Sequence, residues 1–126
     1  MDVSWPDRRL LDLIGVEVPI VQAPMAGAQG AALAIAVSEA GGLGSLPCSL
    51  LDADGIRSAV ATFRAATSRP VNVNFFCHTR ATTDVAADAR WRALLAPYYA
   101  ELGLGVETQA PDVNIEPFDD ARCKLV

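Results

Sequence analysis

Pro19-Ile20-Val21-Gln22-Ala23-Pro24-Met25-Ala26-Gly27 decides how this chain is read. Val18, Ile20 and Val21 are β-branched and suit a short pleated strand over 18–22. Pro24 removes a backbone donor and fixes φ, so regular pairing is expected to stop there. Gly27 and Gly30 then bracket a turn without bulky side chains. Ala31 to Ala40 supplies good or tolerable helix formers until Gly41 and Gly42 end the run. Strand, small turn and helix make the first half of a βαβ unit. In parallel α/β proteins ligands sit at the carboxyl ends of the strands, which places Gln22 to Gly27 where a ligand is met.

Outward from that stretch the same rhythm repeats. Arg8 to Gly15 suits a short opening helix or turn, and a second small strand is expected at Leu43 to Leu46. Asp52 is placed to cap a helix running to Arg64, whose Ile56, Val60 and Phe63 recur at helical spacing. After Arg69-Pro70 a third strand is expected at Val71 to Phe76. Thr79 to Thr83 reads as a polar loop before an amphipathic helix that begins near Asp84. Pro97 should kink that helix or mark a new start, and Gly103 to Gly105 should end it. Trp91, Tyr98 and Tyr99 lie at helical spacing and read as packing against neighbours. Asn114 to Val126 begins a last helix. The fold class is therefore α/β with a parallel sheet, in one domain. A barrel needs about eight strands to close; with three, the sheet is either small and open or a portion of a larger enzyme.

At 126 residues the chain suits one ordinary domain. A formal charge of -5 argues against a general phosphate-backbone binder, so nucleic acid is excluded as a partner. No uninterrupted apolar run is long enough to span a bilayer. The start, Met1-Asp2-Val3-Ser4-Trp5-Pro6-Asp7, lacks the basic, apolar and small-residue order of a secretory signal, and a cytoplasmic location is the expectation. Cys48, Cys77 and Cys123 have no Cys-x-x-Cys spacing and imply neither a zinc site nor a disulfide framework. They read as reduced thiols, Cys77 standing at a strand end beside the sole histidine, His78.

No full catalytic constellation is present. Gly41-Gly42-Leu43-Gly44-Ser45 lacks Gly-x-Gly-x-x-Gly spacing, and a helix cap and a ligand contact remain equally open for it. Asn72 and Asn74 are more informative, being polar, two apart and therefore on one face of a strand that is otherwise apolar. A carboxamide offers both a donor and an acceptor, which suits the polar edge of a flavin or nucleobase ring, with Asn74 nearer the strand's carboxyl end. Met25 reads as core filler or as a thioether lying against a flat ring. His78 reads as a loop residue, and the pairs Asp119-Asp120 and Asp52 with Asp54 as helix caps or solvated charges.

Taken in order, Pro19 to Gly27, then Ala40-Gly41-Gly42-Leu43-Gly44-Ser45-Leu46, then Arg69-Pro70-Val71-Asn72-Val73-Asn74-Phe75-Phe76, the chain resembles the nitronate monooxygenase family over nearly its whole length. That family, formerly the 2-nitropropane dioxygenases, is related to flavin-dependent enoyl-acyl-carrier-protein reductases. The resemblance implies the N-terminal part of a TIM (β/α)8 barrel, about three βα units over residues 1–126, with the barrel incomplete. It implies FMN as cofactor, and alkyl nitronates and O2 as small-molecule substrates giving carbonyl compounds and nitrite. Carried over, Ala23, Pro24 and Met25 match the segment beneath the isoalloxazine ring, Asn74 the strand-three asparagine that contacts the flavin, and Gly44 and Ser45 the same rim. The family's catalytic histidine and phosphate-binding loops lie in later strands, so no residue here is given a catalytic role, His78 included. The resemblance leaves two alternatives standing, the enoyl-reductase relative and a non-catalytic remnant.

Overall fold

The three later helices of this chain start at aspartates that accept the orphan amides of the first turn. Asp52 accepts from the Gly55 amide at 2.8 Å and opens α3, Ala53–Ala66. Asp84 accepts from Ala86 and Ala87, each at 3.0 Å, and opens α4, Val85–Glu101. Asp119 accepts from Arg122 at 2.8 Å and opens α5, Asp120–Cys123. Of the acidic pairs read as caps or solvated charges, Asp52 and Asp119 cap, while Asp54 and Asp120 stand in the first turns. Two earlier helices, α1 (Arg9–Ile14) and α2 (Ala31–Glu39), start without a side-chain cap. The computed structural model describes residues 5–79, 82, 84–105 and 115–126. Most of the expected loop at 79–83 and Asn114 lie outside the described residues.

The architecture is α/β with a small parallel sheet. Strand β1 (Gly44–Pro47) pairs with β2 (Val71–Asn74) in the register Gly44 to Val71, Ser45 to Asn72, Leu46 to Val73 and Pro47 to Asn74. α3 makes the crossover between them, as a parallel pair requires. β1 begins one residue later than expected. The expected first strand at 18–22 contracts to one parallel bridge between Val21 and Leu43. The reason is local: Pro19 has no amide hydrogen, and the Ile20 amide turns back onto Val18 O at 2.8 Å. β2 also ends sooner than expected, because Phe75 and Phe76 run past the end of β1, and Phe76 O accepts from the Phe118 amide instead.

Side-chain alternation gives the sheet two unlike faces. Leu46 and Cys48 are buried against α2 and α3 with Ala34, Ile56 and Phe63, and Val71, Val73, Phe75 and Leu125 pack around them. Burying each large member of this cluster contributes roughly 1.5–3 kcal/mol. Gly44 lies on the same face, where α2 comes so close that an added Cβ would stand 2.1 Å from Ala34 O. Ser45, Asn72 and Asn74 face the other way.

The described residues form two compact units, one running to His78 and rejoined by Ile115–Val126, the other containing α4. α4 runs through Pro97 as one helix rather than restarting there, and it stops at Glu101, just before Gly103 at φ +67°, where an end was expected. None of its residues is buried, and Trp91 and Tyr98 are exposed rather than packed. Its apolar residues and alanines are spread around the helix, so helical spacing alone marked out no buried stripe.

Candidate functional site at the carboxyl end of the sheet

The amino end of the sheet is tied shut. Ser38 Oγ donates to Pro70 O and accepts from the Gly44 amide, both at 3.1 Å, so one buried hydroxyl joins α2 to both strands. Thr67 Oγ1 donates to Glu39, and Arg69 pairs with Glu17. That carboxylate holds the Arg69 guanidinium above its ordinary pKa. Gly41, at φ +90°, donates to Ser38 O, and its carbonyl accepts from Glu17 and Val18. The glycine run Gly41-Gly42 is thus a helix stop, one of the two readings the sequence left open.

The carboxyl end is built differently. After the Val21 bridge the backbone leaves the ladder, and the Gln22 side chain takes over: its Oε1 accepts from the Ser45 amide at 3.2 Å. Gln22 is buried, so its carboxamide stands in for a strand peptide and frees Ala23-Pro24-Met25 to turn away from the sheet. Ala23 and Met25 are exposed and Pro24 is half-buried. Asn74 is half-buried at the last register position, level with Pro47. Ser49 Oγ reaches Asn74 Oδ1 at 3.2 Å, and the Cys48 amide donates to Asn74 O at 3.0 Å.

Gly44 and Ser45 stand elsewhere. They occupy the amino half of β1, level with Val71 and Asn72, and both are buried. Ser45 Oγ donates to Gln22 O at 2.6 Å and accepts from Asn72 Nδ2 at 3.1 Å. The register sets Asn74 at the end of the sheet and Gly44 and Ser45 deeper within it, while Ala23, Pro24 and Met25 leave the ladder just after the bridge between Val21 and Leu43. Pro47, Cys48 and Ser49 reach that end and were missed, although a serine two residues past a strand end is a signal of the same kind as Asn74. Beside them, a cleft of about 420 Å³ opens between the 26–31 turn and the end of β1, lined by Gly27, Gln29, Gly30, Pro47, Cys48 and Leu51 among others. Gln29 Nε2 donates to Ser45 O at 2.8 Å.

His78 is exposed, and its Nε2 lies 3.1 Å from Ile115 O. A carbonyl only accepts, so Nε2 carries the hydrogen and is engaged in holding the returning segment. Cys77 and Cys123 are exposed free thiols and Cys48 is a buried one. Burial pushes the Cys48 thiol above its ordinary pKa, which keeps it neutral and unreactive. Among the described residues no group of histidine, cysteine and carboxylate side chains could hold a metal ion, and no helix is long and apolar enough to cross a membrane.

The sequence and the fold both have counterparts among known proteins. The chain is 44% identical over 106 residues to a nitronate monooxygenase of Paraburkholderia phytofirmans, an overlap of 84% of this chain and 29% of that protein. It is 38% identical over 112 residues to a nitronate monooxygenase of Pseudomonas aeruginosa, covering 89% of this chain and 32% of the relative. The chain thus spans about a third or less of the length of these curated relatives. Among solved structures, nitroalkane oxidase from Streptomyces ansochromogenes superposes with a TM-score of 0.57 at 38% identity, over 75% of this chain and 26% of that one. FabK from Thermotoga maritima superposes with a TM-score of 0.52 at 33% identity, over 71% of this chain and 27% of its own. The family model described as nitronate monooxygenase matches residues 7–124, and the chain belongs to that family.

Proposed function

We propose that this chain contributes one edge of a flavin ring site in an FMN-dependent oxidation of alkyl nitronates by O2, giving carbonyl compounds and nitrite. The observation that carries the reading is the family match through residues 7–124, supported by an exposed Ala23-Pro24-Met25 turn that follows the Val21 bridge and by the Asn74 carboxamide at the last register position of the sheet. Those residues fit a flat ring with a polar edge. Small side chains let the ring approach backbone, the Met25 thioether supplies a polarizable apolar surface, and Asn74 offers a hydrogen bond to the edge. The chemistry a bound FMN supplies is electron transfer from nitronate to oxygen. Gly44 and Ser45 support the floor from within the sheet, and no residue of the chain is assigned a proton transfer. In this reading the α/β unit is the N-terminal part of a TIM (β/α)8 barrel, residues 1–126 form one partial domain of about three βα units, the partners are small molecules and the location is cytoplasmic.

The test is a chimera in which residues 7–124 replace the matching segment of the Paraburkholderia relative. Flavin that stays bound through desalting and nitronate-dependent oxygen uptake within about tenfold of the parent support the proposal. A soluble, folded chimera that holds no flavin overturns it.

A further inference from the structure

Two asparagines two residues apart on one strand face would ordinarily present the same chemistry, but here two serines turn them in opposite senses. Ser45 Oγ gives its one hydrogen to Gln22 O at 2.6 Å, so toward Asn72 it can only accept, and Asn72 Nδ2 donates to it at 3.1 Å. The Asn72 nitrogen is held inward. At the carboxyl end the sense reverses. Ser49 Oγ lies 3.2 Å from Asn74 Oδ1 and 3.3 Å from Asn74 O, and both are acceptors that share the hydroxyl hydrogen. The Asn74 oxygen is held, and Nδ2 becomes the group that can donate outward. Ser49 is 3% exposed, which shields the contact from competing water.

We propose that Ser49 is a positioning residue for Asn74: it fixes the carboxamide so that the NH2 edge, rather than the oxygen, is offered to a ring bound at the carboxyl end. The ring's identity rests on the flavin reading above, whereas the orientation of the amide does not. A flavin edge carries one donor, N3–H, and several acceptors, the two carbonyl oxygens with N1 and N5, so a fixed donor at Asn74 is matched to those acceptors and not to N3–H. An unfixed carboxamide would present either atom, and the ordering lost before binding would have to be supplied at binding.

The test uses the 126-residue chain labelled with ¹⁵N, as wild type, Ser49→Ala and Ser49→Thr. Relaxation of the Asn74 side-chain NH2, measured without flavin, is expected to show an ordered group in the wild type and in Ser49→Thr. In Ser49→Ala the order parameter should drop from about 0.85 toward 0.6 or below. Unchanged order in Ser49→Ala overturns the proposal. So does a Ser49→Ala spectrum altered throughout β1 and β2, which would make Ser49 a support of the sheet rather than of one amide. Titration with FMN then separates this inference from the one it rests on. A shift of the Asn74 NH2 signals in the wild type, with about fivefold weaker binding in Ser49→Ala and recovery in Ser49→Thr, supports both. Equal binding by wild type and Ser49→Ala overturns the role of Ser49 and leaves the ring site standing. Wild-type Asn74 signals that ignore FMN in this partial site leave the ring site to the chimera, while the relaxation result still decides Ser49.

Discussion

The two ends of the small sheet are made from similar residues and do opposite things. At the amino end Ser38, Thr67, Glu39, Glu17 and Arg69 direct their polar atoms at one another and at backbone, and α2 presses onto Gly44. At the carboxyl end Met25, Leu50 and Phe76 are exposed, and a cleft opens beside the turn. The difference is one of hydrogen-bond closure. Where each buried polar group has a protein partner the end contributes stability, and where backbone is freed from the ladder the end can meet a ligand. The Gln22 carboxamide marks the change, since it completes the ladder beside Ser45 so that the next three residues need not.

The comparison breaks most directly at Gly44. An alanine there sets its Cβ 2.1 Å from Ala34 O, a backbone atom of α2 that cannot swing aside. Gly44→Ala should cost about 4 kcal/mol or more, or abolish folding, as read by urea denaturation. Ser38→Ala removes one hydroxyl that serves both the buried Gly44 amide and Pro70 O. It should cost about 2–4 kcal/mol, because orphaned buried groups lose their full partner energy. If Ser38→Ala costs less than about 0.5 kcal/mol, the amino end is not the stabilising one.

How far the sequence foretold these two ends follows from range. Caps are local, so Asp52, Asp84 and Asp119 could be read from their own turns. The polar pair Asn72 and Asn74 announced itself against an apolar strand. Gly44 was legible as unusual but its reason was not, because the helix that crowds it lies ten residues earlier and only the folded packing brings Ala34 O against it. The resemblance puts Ser45 on the rim with Gly44, and only the register shows that it stands level with Asn72, two positions short of the end of the strands. The first strand was over-read because β-branched residues suit a ladder that Pro19 then interrupts.

At the carboxyl end the predictions reverse sign in what they touch. Met25 is 44% exposed, so Met25→Ala should leave stability within about 0.5 kcal/mol. Binding should suffer instead. A ring system of roughly 18 non-hydrogen atoms at about 0.3 kcal/mol each gives about 5 kcal/mol, so FMN should bind this chain no more tightly than on the order of 0.1 mM. Riboflavin should match FMN within about twofold if these residues meet the ring alone. Met25→Ala should weaken both about three- to fivefold, measured by flavin fluorescence. A Met25→Ala chain that unfolds, or one that binds flavin unchanged, would erase the contrast between the ends.

The smallest effect sits between the two regions, at Cys48, which is buried in the core yet borders the cleft. Burial raises its thiol pKa in the folded chain. The folded state therefore prefers the neutral thiol, and the associated stability is fully present below the unfolded value of about 8.5 and is lost as pH rises through the folded value. Urea midpoints should fall slightly more steeply above pH 9 in the wild type than in Cys48→Ala, whose baseline stability is lower. The same burial orders the thiols by reactivity. At pH 8 Cys77 and Cys123, both exposed, should react promptly with a disulfide reagent, while Cys48 should react only as fast as the core opens. Prompt modification of all three without loss of structure would mean that the cleft reaches Cys48 Sγ, and the boundary between the closed and open ends would then lie deeper than Pro47.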